Sequence, residues 1–151
     1  MVDARGKGMR GEYLVRDLLR DHTGYQFERI PSSGALSYLK GDLYIPDHNI
    51  RNRFCIEVKF YADSPLTDKL FTQPRTNNLI NWWNKLVGQA RHMEQEPLLF
   101  FKYNRSPIFV VTELRPKDPD LQYLHISWLN VYTMLADKWL KTEKEDFKYN
   151  G

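Results

Sequence analysis

The run Arg53-Phe54-Cys55-Ile56-Glu57-Val58-Lys59-Phe60 constrains the fold of this 151-residue chain more than any other segment. Its period-two alternation sends Phe54, Ile56, Val58 and Phe60 to one side of a strand and leaves Glu57 and Lys59 together on the other. An amphipathic strand needs layers to cover it, and the flanking sequence supplies them. Residues 9–21 place Leu14, Val15, Leu18 and Leu19 on one stripe, flanked by Arg10, Arg16, Asp17 and Arg20, and stop before Thr23-Gly24. This pattern predicts an amphipathic first helix. Residues 78–94 carry Leu79, Trp83, Leu86, Ala90 and Met93 at helical spacing, which predicts a second. Residues 25–30 and 41–46 read as strands, and Asp47-His48-Asn49 as the turn into a third strand over 53–61.

Residues 31–40 form a loop rich in Ser and Gly, and 62–78 is a polar stretch with Pro65 and Pro74 whose length marks it as functional or mobile. Residues 97–103 and 107–112 predict a strand pair joined through Asn104-Arg105-Ser106. Ser127 is expected to cap a last helix reaching Lys141 and carrying Trp128, Tyr132 and Trp139. The order of helix, strands, helix, strands, helix predicts an α/β class with a mixed central sheet between helices. The length suits one domain over 1–151, with 1–8 and 142–151 as flexible tails, the latter too charged to bury.

Composition excludes several classes. Aromatic residues are 14% and charged residues 27% of the chain, too apolar for disorder, and no long uncharged apolar run spans a bilayer. The first eleven residues lack the apolar centre of a secretory signal, and Cys55 is the single cysteine. An internal disulfide and thiolate zinc sites are thereby excluded, and a reducing cytoplasm is the expected location. A formal charge of +3 is compatible with nucleic-acid binding without implying it. His22, His48, His92 and His125 lack the close spacing of metal ligands, and no phosphate-cradling glycine loop appears.

The chemistry-bearing residues lie at the strand edges. Asp42, in Gly41-Asp42-Leu43, stands on the strand expected next to that of Glu57 and Lys59, which are themselves roughly 6.6 Å apart along their strand. Two carboxylates and an ammonium on one edge are minimal equipment for holding a divalent cation against a phosphodiester. Glu12, three residues before Val15 and seven before Leu19, borders the buried stripe of the first helix and can lean toward the sheet. Gln89, one face round from Leu86 on the second helix, is either within reach of the same edge or an ordinary polar flank. Trp82 and Trp83 point to different sides of that helix, and at least one belongs to the core or an interface.

Read together, residues 7–61 resemble the PD-(D/E)XK nuclease superfamily and, within it, the archaeal-type Holliday junction resolvases with their phage-encoded relatives. The resemblance rests on Lys7-Gly8-Met9-Arg10-Gly11-Glu12, Phe27-Glu28-Arg29-Ile30-Pro31-Ser32-Ser33-Gly34, Gly41-Asp42-Leu43 and Cys55-Ile56-Glu57-Val58-Lys59. Gly41 stands where the family has proline, and the chain beyond Tyr61 is longer than the minimal resolvases. The resemblance implies a restriction-endonuclease-like fold and a catalytic set of Glu12, Asp42, Glu57 and Lys59. It implies Mg²⁺ (with Mn²⁺ as substitute) on Asp42, Glu57 and the Val58 carbonyl, with Glu12 holding one of its waters or helping to bind a second metal. The resemblance implies that Arg10, Arg29, Ser32 and Ser33 contact DNA or support catalysis; with Lys40 they are the candidate DNA contacts, recognising backbone and shape. The expected activity is cleavage of four-way DNA junctions by a homodimer without membrane association, in the host cytoplasm if phage-encoded. The alternatives are another nuclease of the superfamily, restriction-like or repair, and a DNA-binding module that has lost cleavage.

Overall fold

A computed structural model of the chain describes residues 4–31, 39–144 and 147–148. Strand β3 (Phe54–Phe60), third of seven in the sheet, organises the molecule through its alternation. The even-numbered side chains Phe54, Ile56 and Val58 enter one apolar cluster with Val15 and Leu19 of α1 (Ala4–Thr23) and with Trp139 and Leu140 of α4 (Ala136–Glu143). Odd-numbered Cys55 enters the other, with Leu79, Trp83, Leu86 and Ala90 of α3 (Asn78–His92). Helices therefore cover both faces of the sheet, the mixed α/β arrangement expected.

Seven strands are ordered β1-β2-β3-β4-β5-β7-β6. The short β1 (Glu28–Arg29) and β2 (Leu43–Tyr44) precede β3, and β4 (Glu96–Lys102) lies beside it, followed in the chain by β5 (Phe109–Thr112). The pair β3 and β4 is parallel, from Phe54 against Glu96 to Phe60 against Lys102, and α3 makes the crossover; the other pairings are antiparallel. Asn77 caps α3, its side chain accepting from the Ile80 N–H at 3.0 Å while its amide donates to the Pro65 carbonyl at 2.9 Å. That capping residue ties the 62–78 stretch down. A one-turn helix α2 (Lys69–Thr72) interrupts the same stretch, so it is not structureless.

Three further expectations are corrected. Residues 127–135 are not helical: β6 (Leu124–Ile126) and a 3-10 turn (Ser127–Leu129) lead through Asn130, at φ 54°, into β7 (Val131–Leu135), and only then does α4 begin. Val131 and Thr133 are buried on one face of β7, where β-branched residues pack well, and Trp128, Tyr132 and Trp139 lie on three different elements. The segment 142–151 is not simply a tail, because Phe147 is 2% exposed and packs edge-on against Phe27, Phe54 and Trp139, while Lys148 bridges to Asn52. At the other end, α1 starts at Ala4 and takes up residues expected to be flexible. Gly11 belongs in that helix for a packing reason: a Cβ there would lie 2.8 Å from the Phe60 ring.

Strands β1 and β2 are also shorter than the alternation suggested. Beyond Tyr44 the backbone of Ile45 finds a side chain instead of a strand. The Ile45 N–H donates to Asn52 Oδ1 at 2.7 Å, and Asn52 Nδ2 donates to the Ile45 carbonyl at 2.9 Å.

Candidate active site

The site forms where β2 leaves β3. Gly41 has φ +95°, a conformation disfavoured for residues with a Cβ, and an added Cβ would sit 2.7 Å from the Ile56 carbonyl oxygen. The chain can therefore swing away from β3 at this point. The next residue makes the last backbone contact, the Asp42 N–H donating to the Ile56 carbonyl at 2.7 Å. One step further along β3, the Val58 N–H has no strand partner, and the Asp42 carboxylate accepts from it at 2.7 Å. Asp42 is thus held by the gap it fills. The Val58 carbonyl leaves β3 on the same side as its N–H, toward the Asp42 edge.

Glu57 and Lys59 project from the α3 side of β3, with Lys59 Nζ 3.6 Å from Glu57 Oε1. Glu12 reaches the edge from α1 and is held by Arg29 of β1, whose Nη2 donates to Glu12 Oε2 at 3.3 Å. The Arg29 guanidinium also lies 5.2 Å from the centre of the Tyr13 ring.

The electrostatics describe an excess of negative charge out of water. Burial, then the negative charge of Asp42, lifts the Glu12 carboxyl to about 7, although the Arg29 guanidinium pulls the other way. Burial and the charge of Glu57 lift Asp42 to about 6, against the Val58 N–H, the Glu12 carboxyl and Lys59. Glu57 is raised by burial, with Lys59 and Lys85 opposing. Burial lowers Arg29, but the Tyr13 hydroxyl and Glu12 outweigh it and the net direction is upward. Burial, Glu57 and Asp42 push the Cys55 thiol up to about 12. Cys55 is therefore a packed neutral thiol and not a nucleophile.

The structure brings Glu12, Asp42, Glu57 and Lys59 together from three elements. Among the described residues, no three His, Cys, Asp or Glu side chains are already drawn around one point as a metal would require. Asp42 accepts from the Val58 N–H, Glu12 from Arg29, and Glu57 lies against Lys59, while the Glu12 and Asp42 carboxyls also hydrogen-bond each other.

Of the expected DNA contacts, the Arg10 and Lys40 side chains are exposed, whereas Arg29 is engaged with Glu12 and Tyr13. Ser32 and Ser33 lie outside the described residues. Gln89 is half-buried on the α3 flank and makes no side-chain hydrogen bond among the described residues. Lys85, one turn before it, bears on Glu57 and was missed; its signal was the four-residue spacing from Gln89.

Comparison with known proteins defines the class. The chain belongs to the family described as "Phage putative PDDEXK endonuclease", whose model it matches over residues 3–148. By family it is a nuclease. Protein D14 of Escherichia phage T5 is 42% identical over 109 residues, covering 70% of this chain and 68% of that protein. Among solved structures, a match at TM-score 0.45 and 17% identity covers 87% of this chain and 91% of Hjc, a Holliday junction resolvase from the archaeal hyperthermophile Archaeoglobus fulgidus. No described helix is long and apolar enough to cross a membrane.

Proposed function

We propose that the chain is a Mg²⁺-dependent DNA endonuclease that cleaves four-way junctions as a two-fold dimer. The observation that carries the nuclease site is the convergence of Glu12, Asp42 and Glu57, half-buried and mutually repelling, beside Lys59. These are hard oxygen donors with unbalanced negative charge, the donor set that suits Mg²⁺. Asp42, Glu57 and the Val58 carbonyl would hold the ion, and Glu12 would hold one of its waters. When bound, the cation would make the attacking water more acidic and offset charge developing on the phosphate.

The chain's own groups do the rest. Lys59 would orient the attacking water from the Glu57 side and offset negative charge on the phosphate. Arg29 keeps Glu12 turned toward the edge. Arg10 and Lys40, both exposed, would grip flanking phosphates without reading base sequence.

The junction-specific part rests on the motif order across residues 7–61. A four-way junction offers two equivalent strands, which a two-fold dimer can nick within one encounter. Trp83 and Trp139 complete the core, but Phe71 is 72%, Leu124 58% and Trp128 56% exposed, an apolar surface available to a second copy. The test is parallel incubation with Mg²⁺ and end-labelled four-way junction, linear duplex, flap and single strand. Preferential paired nicking of the junction supports the reading; equal cutting of linear duplex would replace it with a restriction-like or repair nuclease.

A further inference from the structure

The face of β3 that carries Glu57 and Lys59 continues past the strand's end. The Tyr61 N–H donates to the Lys102 carbonyl at 2.9 Å, extending the pairing with β4, so the pleat places Tyr61 on the same side as Lys59. There it meets Trp82 of α3, the ring centres 4.8 Å apart and tilted by 41°. Trp82 is half-buried against the α3 apolar cluster, which anchors the inner side of the pair. Tyr61 is 42% exposed, and its hydroxyl has no hydrogen-bond partner among the described residues. Lys85 stands three residues after Trp82, on the same side of the helix, exposed and without an ion pair among the described residues. A cavity of about 330 Å³ lined by Lys7, Gly8, Val58, Lys59, Phe60, Tyr61 and Ala62 runs along the end of β3, from Val58 past Lys59 to Tyr61.

We propose that Tyr61, backed by Trp82 and flanked by Lys59 and Lys85, is a stacking platform for an unpaired base of the DNA strand that enters the nuclease site. The proposal rests on the nuclease reading above and specifies the substrate further: DNA with unstacked bases beside the cut. An aromatic ring can lie on a base only once that base has left its stack, and the cost of leaving is smallest where pairing is already broken. Cations beside an aromatic face are the recurring means of holding single strands without sequence preference. Both parts occur here on the one face that also carries Glu57 and Lys59.

The experiment measures binding by fluorescence anisotropy in an Asp42→Asn background without metal, using single strand, forked duplex with unpaired arms, and blunt duplex. Tyr61→Leu should weaken single-strand and forked DNA about tenfold and leave blunt duplex within about twofold. Tyr61→Phe, which keeps the ring, should bind like its parent. Lys85→Gln should flatten the salt dependence on single strand by somewhat less than one ion. A direct reading requires no substitution at Tyr61: 5-iodouracil in a single strand should photocrosslink to Tyr61 or Trp82, mapped by mass spectrometry. Unchanged single-strand binding by Tyr61→Leu, equal losses on single strand and duplex, or crosslinks only elsewhere would overturn the platform. Junction cleavage by the wild-type protein is scored separately. Cleavage with an unmoved Tyr61→Leu removes the platform and keeps the nuclease; a Tyr61-dependent single-strand affinity without cleavage does the reverse.

Discussion

Asp42 is expected to weaken the fold that holds it. In the unfolded chain its carboxyl ionises near 3.8, but in the folded protein only near about 6, because burial and Glu57 oppose the charge. An acid raised on folding stabilises the folded state fully below its unfolded value, and that contribution is lost as the pH rises through its folded value. The gap corresponds to about 3 kcal/mol, all of it missing by pH 7.5. Asp42→Asn removes the charge, while its Oδ1 can still accept from the Val58 N–H and its Nδ2 can donate to Glu12. At pH 7.5 the variant should therefore be more stable by about 2–3 kcal/mol, a rise in Tm of roughly 5–10 °C for a chain of this size. At pH 5 the advantage should shrink to about half. Mg²⁺ should raise the Tm of the wild type and leave that of the variant nearly unmoved, since a ligand stabilises only the form that binds it. Circular dichroism melts at the two pH values, with and without Mg²⁺, measure all of this. A variant no more stable than wild type at pH 7.5, or an advantage that does not shrink at pH 5, would refute the reasoning.

Two glycines should respond oppositely to the same substitution. Gly41→Ala meets the Ile56 carbonyl at 2.7 Å with φ +95° and should cost about 2–4 kcal/mol in urea denaturation and remove cleavage, whereas Gly88→Ala, with open space on α3, should gain up to about 1 kcal/mol and cleave normally. A Gly41→Ala protein as stable and active as wild type would remove the account of how β2 leaves β3. Arg10→Ala should weaken junction binding and lower its salt dependence by about one ion without altering sequence preference; an unchanged slope and affinity would place Arg10 off the DNA. Sedimentation should show a dimer on junction DNA, and a clean 18.0 kDa species both free and on DNA would exclude symmetric two-strand nicking.

Much of the candidate site's arrangement was legible because it follows from short-range rules. The alternation through Phe54, Ile56 and Val58 placed Glu57 and Lys59 on one face, and the stripe through Val15 and Leu19 placed Glu12 at its border. The part played by Arg29 was not legible, because its contact with Glu12 spans seventeen residues and depends on where β1 meets α1. The aromatic spacing of Trp128, Tyr132 and Trp139 suggested a helix, yet Val131 and Thr133 belong to a strand, and Asn130 at φ 54° marks the turn before it. The β-branched pair was the stronger signal. Phe147 was lost among charged neighbours, and its burial depends on a pocket built by Phe27, Phe54 and Trp139 from distant parts of the chain.

The claim that Asp42 and Glu57 form the metal site of a nuclease is tested most directly by nicking of an end-labelled four-way junction. Wild type, Asp42→Asn and Glu57→Gln would be compared in Mg²⁺ and in chelator, with binding followed in parallel. The wild-type protein should cleave in Mg²⁺ and stop in chelator, while both variants bind the junction without cleavage above background. Cleavage by either variant at near wild-type rate in Mg²⁺, or wild-type cleavage undiminished by chelator, would contradict the assignment.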